Sequence, residues 1–409
     1  MYKLSSLRLA YTTSTGKRHL VIKDLHKKYG KFVRTGPNML SVNSPSAVSQ
    51  IYTQANCMDK SDAYVLGREK SIGLFFIPER EKHNQRKKSW APAFSPSALA
   101  AYQPPIERRA KALQACIERR MDPVKKSVDV SECLQHWAYD LMGDVVFSGS
   151  NRLELMQEGD PGKIVRATQL ATMGFEILGE VPWLFDIMWH LPATDDLHAF
   201  ERRAGEMMTV RRLDNQGPYN DIAGHLLGER SPHPIHLTDG ELAVDGCFAI
   251  TAGSDSTASV MAFLVYFLTC NPDKLGRLRK ELEDAFPEGK PMTHSTLSAL
   301  PYLNAVVDES LRLGTPFPGL PRVVPRGGII IDGVKVPAGT IISVPAYTQQ
   351  TSAENFSPNP EEFIPERWIS SEYETNLETV ELIAQQAPSV VSAAISPSKN
   401  CAIHARISS

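Results

Sequence analysis

The chain has 409 residues, of which 42% are hydrophobic and 22% charged, with a formal net charge of −2. That balance belongs to a globular protein with a large core, and its near-neutral charge gives no reason to expect a nucleic-acid partner. The six cysteines are scattered with no C-x-x-C pair. A zinc site and a disulfide framework are therefore not expected, and a reducing compartment is.

Taken in chain order, MYKLSSLRLAYTTSTGKRHL has no apolar run of signal-peptide length, and no later stretch is apolar enough to predict a spanning helix. RHLVIKDLHKKYG predicts a helix closed by Gly30, and VRTGPNMLSVNSP predicts strand, turn, strand. PIERRAKALQACIERRMDPV has helical spacing that puts Ile106, Ala110, Leu113 and Ile117 on the buried face. DVSECLQHWAYDLMGDVVF predicts a more deeply buried helix. Residues 175–191, FEILGEVPWLFDIMWHL, are apolar but interrupted by Glu176, Glu180 and Asp186. They read as helix, proline-containing turn and amphipathic patch, set in the core or against a membrane surface.

Thr238 and Glu241 form a capping-box signature for a long apolar helix, GELAVDGCFAITAGSDSTASVMAFLVYFLTC. A helix so apolar is expected to run through the middle of the protein. Two further helices follow in PDKLGRLRKELEDAF and LNAVVDESLRLG. RVVPRGGIIIDGVKVPAGTIISVPAY is β-branched and broken by Gly and Pro, a short antiparallel unit. No linker divides the chain, so one domain over residues 1–409 is expected, mainly α with a small β part.

Two clusters carry candidate chemistry. In the long helix, Ala252 and Gly253 are small, while Ser254, Asp255, Ser256 and Thr257 are polar. Gly costs about 1 kcal/mol in a helix interior relative to Ala. Buried hydroxyls and acids need partners. Small residues there admit a flat ligand, and an acid beside an alcohol can pass a proton to it. A helix–helix contact with its hydroxyls bonded back to carbonyls is the alternative. Separately, ESLR sets Glu309 and Arg312 on one helix face. Arg367 of PERW is the natural second guanidinium for a buried Glu309, which makes the trio a structural staple.

The order of these features is similar to that of the cytochrome P-450 superfamily, the haem-thiolate monooxygenases, of fungal microsomal type. AGSDST is followed by ESLR, then PFPGLPR, IDGVKVPAGT and FIPERW, and LHKKYGKFVRTGPNMLSV and HNQRKKSWAPAFSPSAL precede them. The resemblance covers residues 20–370 and implies that fold. It also implies a haem cofactor, an NADPH-cytochrome P-450 reductase as electron donor and a lipophilic small-molecule substrate, in secondary metabolism. Its place would be the cytoplasmic face of the endoplasmic reticulum, or the cytoplasm in the absence of an anchor. By the same resemblance Asp255 and Ser256 are the acid–alcohol pair serving bound dioxygen, with Thr257 beside them, and Ala252 and Gly253 are the oxygen groove. Arg322, His83 and Lys87 match positions that hold the haem carboxylates. Glu309, Arg312 and Arg367 match a buried triad. Arg86, Lys87 and Lys88 form a basic patch that suits an acidic reductase or is simply solvated.

The family's ligand loop, F-x-x-G-x-x-x-C-x-G, aligns with Cys401 as the iron ligand. The chain departs from it, with Ala394 for the aromatic residue, Pro397 for the first glycine and Ile403 for the last. Residues 371–409 are thus an atypical tail, and the expectation is a member truncated or altered at both ends. Two other readings stay open. One is an inactive scaffold that binds a lipophile without proper haem. The other is a haem-thiolate isomerase or dehydratase that needs no reductase.

Overall fold

The structure is a computed structural model. It describes residues 5–52, 57–64, 72–188, 195–214, 219–229, 235–288, 292–315, 318–369 and 374–375. The tail beyond 375, with Cys401, lies outside the described residues.

Capping residues and apolar spacing set the helices. α1 (Leu7–Ser14) and α2 (Arg18–Tyr29) open the chain. α2 stops at Gly30, whose φ of +84° a residue with a Cβ rarely adopts. β1 (Phe32–Gly36) and β2 (Met39–Val42) then pair antiparallel, as the sequence predicts. α3 (Arg80–Trp90), α4 (Gln103–Arg120) and α5 (Val130–Phe147) follow. The side chain of Asp129 caps α5 by accepting from the Glu132 amide at 3.0 Å. α6 (Ile164–Leu178), α7 (Pro182–Met188) and α8 (Asp195–Leu213) lead to the central helix, α9 (Asp239–Cys270). Both halves of the Thr238–Glu241 capping box are formed. α10 (Pro272–Ala285) and α11 (Pro301–Leu313) follow, and a short helix at Ala346–Gln350 comes after the late strands.

The main core gathers the inner faces of α4, α5, α8 and α9, including Cys116, Leu134, Tyr139, Val146, Phe147, Ala204, Met208 and Ile250. The N-terminal half of α9 is buried against α5 and α8. Toward its C-terminal end Phe263, Val265 and Tyr266 are exposed. The helix therefore runs through the protein along part of its length only.

The β part differs from the expectation of a self-contained unit. β3 (Arg322–Val323) and β6 (Ile341–Ser343) pair antiparallel, but β6 also pairs parallel with β2. The N-terminal hairpin and the late strands thus make one sheet, in the order β1-β2-β6-β3. β4 (Ile329–Ile331) and β5 (Val334–Val336) form a separate hairpin.

Helix α4 also departs from its predicted face. Ala110 is exposed and Arg109 is buried. The reason is electrostatic: Arg109 donates to both oxygens of Asp144 on α5, at 2.7 and 3.1 Å, and to both oxygens of Glu154. A guanidinium so paired turns inward.

Candidate active site

The staple is the most complete of the predicted clusters. Glu309 is fully buried, and Arg312 and Arg367 are each 2% exposed. Arg312 donates to both Glu309 oxygens, at 2.8 and 2.7 Å. Arg367 Nε donates to Oε1 at 3.1 Å. The Ile364 amide and the indole of Trp368 complete the carboxylate, each at 2.9 Å. Arg312 reaches on to the carbonyls of Gln350 and Glu362, and Arg367 to those of Pro358 and Asn359. One carboxylate thereby ties α11 to the irregular chain before residue 369.

On α9 the predicted polar residues divide by direction. Gly253 is turned toward α5: a Cβ there would lie 2.5 Å from the sulfur and terminal methyl of Met142. Its missing side chain lets the two helices approach. Ala252 is half-buried and one turn beyond Phe248. Ser256 Oγ donates back to the Ala252 carbonyl at 2.7 Å, and α9 continues through this bond unbroken. The hydroxyls of Ser254 and Thr257 are buried without a hydrogen-bond partner among the described residues.

Asp255 accepts from the Tyr139 hydroxyl of α5 at 2.8 Å. Burial pushes its pKa up to about 6, and the Tyr139 bond opposes the rise. It can therefore carry or release a proton near neutral pH.

A second group of polar residues lies across a set of aromatic rings. Arg322 is 7% exposed and donates to the Tyr64 hydroxyl at 3.0 Å, while its Nε is buried without a partner among the described residues. Lys60 bridges to Arg322 through an isolated β-contact and lies 5.3 Å from the centres of Tyr64 and Phe75. Burial, then the charge of Arg322, pulls Lys60 down to about 7. Burial, then Lys60, pulls His83 down to about 4, with Lys87 and Arg322 adding to the effect, so His83 is neutral at pH 7. Among the described residues, the charges found acting on these two groups are those of Arg322, Lys60 and Lys87, with Cys57 opposing the shift at Lys60. Phe75 stacks on Phe248 of α9 at 5.0 Å and meets Phe175 at 5.8 Å. The rings thus link the cations to the turn that bears Ala252 and Asp255.

Sequence reasoning missed Lys60 and Tyr139, which lie far from the motifs in the chain and carry no local signal. It also misplaced Arg86, which is buried and bonded to Asp245 of α9 at 3.0 Å and to Glu241 at 2.9 Å. Arg86 thus leaves the expected surface patch, whose Lys88 is exposed and whose Lys87 is half-buried. Asp245 had a legible signal, being an acid inside an apolar helix. It also accepts from Trp90 and from the Leu74 amide.

A sequence model of the cytochrome P-450 family matches residues 6–383. The chain belongs to the cytochrome P-450 family. It is 32% identical over 377 residues to the cytochrome P-450 monooxygenase nodW of Hypoxylon pulicicidum, covering 91% of this chain and 68% of that protein. It is 32% identical to the cytochrome P-450 monooxygenase phqL of Penicillium fellutanum, covering 85% and 61%. It is 31% identical to the tryprostatin B 6-hydroxylase of Neosartorya fischeri, covering 90% and 66%. The chain thus spans about two thirds of the length of these curated relatives.

The family's cofactor is haem, which carries two carboxylates. The P-450 residues described here fit it. Among the described residues, a buried guanidinium with an unpartnered Nε, a lysine depressed toward neutrality and a neutral histidine form a site that favours an added negative charge.

Proposed function

We propose that the protein is a haem-thiolate monooxygenase that inserts one oxygen atom from O2 into a lipophilic small molecule, with electrons from an NADPH-dependent reductase, in fungal secondary metabolism. The observation that carries this reading is the pairing of a buried cation cluster, Arg322 and Lys60, with a titratable acid, Asp255, across a set of aromatic rings.

When bound, haem supplies an iron centre for activating dioxygen, and Cys401 is its proposed thiolate ligand. Arg322, Lys60 and His83 would hold its carboxylates. Lys87 would add charge from the next turn of α3. Ala252 would leave the helix surface low above it. Asp255 holds a proton near neutral pH and passes it toward the gap, and Ser256 Oγ is the nearest hydroxyl in sequence. Thr257 and its unpartnered hydroxyl stand in reserve. Phe75, Phe175 and Phe248 would exclude water and give an apolar substrate a wall of rings.

A membrane-surface location is part of the same reading. α1 packs on α6, and Leu7, Tyr11, Met173, Trp183 and Ile187 are exposed along α1, α6 and α7. Of the acids that interrupt this run, Glu180 is buried and pairs with Arg18 at 2.7 Å. Apolar groups facing out beside a buried, paired acid suit a lipid headgroup boundary.

The test is spectroscopic. The expressed chain is reduced and exposed to carbon monoxide. The expected result is the Soret band of a thiolate-ligated haem, lost in Cys401→Ala. A chain that takes up no haem ends the reading.

A further inference from the structure

We infer that Tyr139 is a positioning residue for Asp255, and that the Tyr139–Thr168 hydroxyl pair sets the charge state in which this acid waits between proton transfers. This rests on the reading of Asp255 as a proton donor given above.

Three elements meet at the contact. Tyr139 comes from α5, Thr168 from α6 and Asp255 from α9, separated by 29 and 116 residues from Tyr139. Tyr139 and Thr168 are both fully buried. The tyrosine hydroxyl bonds Asp255 Oδ1 on one side and Thr168 Oγ1 on the other. Thr168 Oγ1 in turn lies 3.0 Å from the carbonyls of Ile164 and Val165. The row ends on backbone inside α6, so it is not a channel from solvent.

The row has two directions. With Asp255 ionised, Tyr139 donates to the carboxylate. With Asp255 protonated, the acid can donate to Tyr139, Tyr139 to Thr168 and Thr168 to a carbonyl. Every hydroxyl finds an acceptor in either state. The two ends act oppositely on the acid. The Tyr139 donor favours the ionised form, since a bond to a charged acceptor is the stronger. The Thr168 acceptor favours the neutral form, because it receives the Tyr139 proton when the row is reversed.

Few other charges intervene. Among the described residues, Tyr139 is the ionisable side chain found acting on Asp255. Cys247 of α9 bears on Tyr139, and Glu201 of α8 bears on Cys247. On α5, Asp144 is held by Arg109, and Asp140 by the amides of Leu155 and Met156. On α11, Glu309 is taken up by Arg312 and Arg367.

The experiment is an infrared titration of the protonated-carboxyl band in the full chain, assigned to Asp255 by its loss in Asp255→Asn. Tyr139→Phe is expected to move the Asp255 midpoint upward by about one pH unit, the scale of one charge-assisted hydrogen bond. Thr168→Val keeps the volume, removes the acceptor and is expected to move the midpoint downward by less. A structural role alone would change the melting temperature and leave both midpoints in place. Unmoved midpoints, or two shifts of the same sign, overturn the inference. In the haem-loaded protein the acid limb of the pH–turnover profile should follow the same shifts. Opposite midpoint shifts without any turnover would retain the Tyr139 role and remove the monooxygenase reading. Turnover with unmoved midpoints would do the reverse.

Discussion

Two buried charge clusters in this protein are built on opposite plans. Around Glu309, one carboxylate meets two guanidiniums, an indole and an amide, and the guanidiniums extend to five backbone carbonyls. Around Arg322 and Lys60, the charges found acting on one another among the described residues are mainly those of cations. The first cluster satisfies itself and so serves the fold. The second holds repulsion that an added anion would relieve, and it is the one to associate with a ligand.

The largest effect expected is at the self-satisfied cluster. Glu309→Gln leaves two buried guanidiniums short of their counter-charge, and urea unfolding should show a loss of about 3–5 kcal/mol or no folded protein at all. If the variant folds at near-normal stability, the contrast between the clusters fails. At the open cluster the sign should reverse. Arg322→Met should leave the haem-free chain as stable as before or more so, and reduce haem retention by about tenfold or more, read by haem transfer to an acceptor protein.

Lys60 sharpens the comparison through pH. Its folded pKa, about 7, lies below the usual lysine value of 10.5. Between those values the unfolded chain binds more protons, so the haem-free protein should gain stability as pH rises from about 7 toward 10.5. Lys60→Met should flatten that slope in thermal melts across pH. Bound carboxylates should flatten it as well. Gly253→Ala forces a methyl onto Met142 and should cost about 1–3 kcal/mol in stability. Ser256→Ala removes only a hydroxyl bonded to its own helix. It should change stability by less than about 1 kcal/mol while altering the fraction of NADPH electrons that reach product.

Legibility followed the range of the forces involved. The capping box, the Gly30 stop, the β1–β2 hairpin and the Glu309–Arg312 pair rest on residues close in sequence, and local chemistry is enough to read them. Arg367 could be matched because a buried carboxylate with one guanidinium gains from a second. Ala110 was placed on the buried face where Arg109 lies, because the partners that draw Arg109 inward, Asp144 and Glu154, sit on other elements. Gly253 was assigned to a ligand because nothing in its own helix announces Met142. Lys60 and Tyr139 gave no signal, since a lysine and a tyrosine acquire their roles here only from what surrounds them.

The sequence by itself determined the stop of α2 and the capped start of α9, the acid and alcohol on a long apolar helix, the ionic staple and the family. Each of these is written in residue order and short spacing. Only the tertiary structure decided that residues 39–41 and 341–343 share a sheet, that Arg86 faces Asp245 rather than solvent, and that Asp255 rests on Tyr139. Burial is a property of the packed whole, and it is burial that moves Asp255 and Lys60 toward neutral pH and turns ordinary side chains into a site.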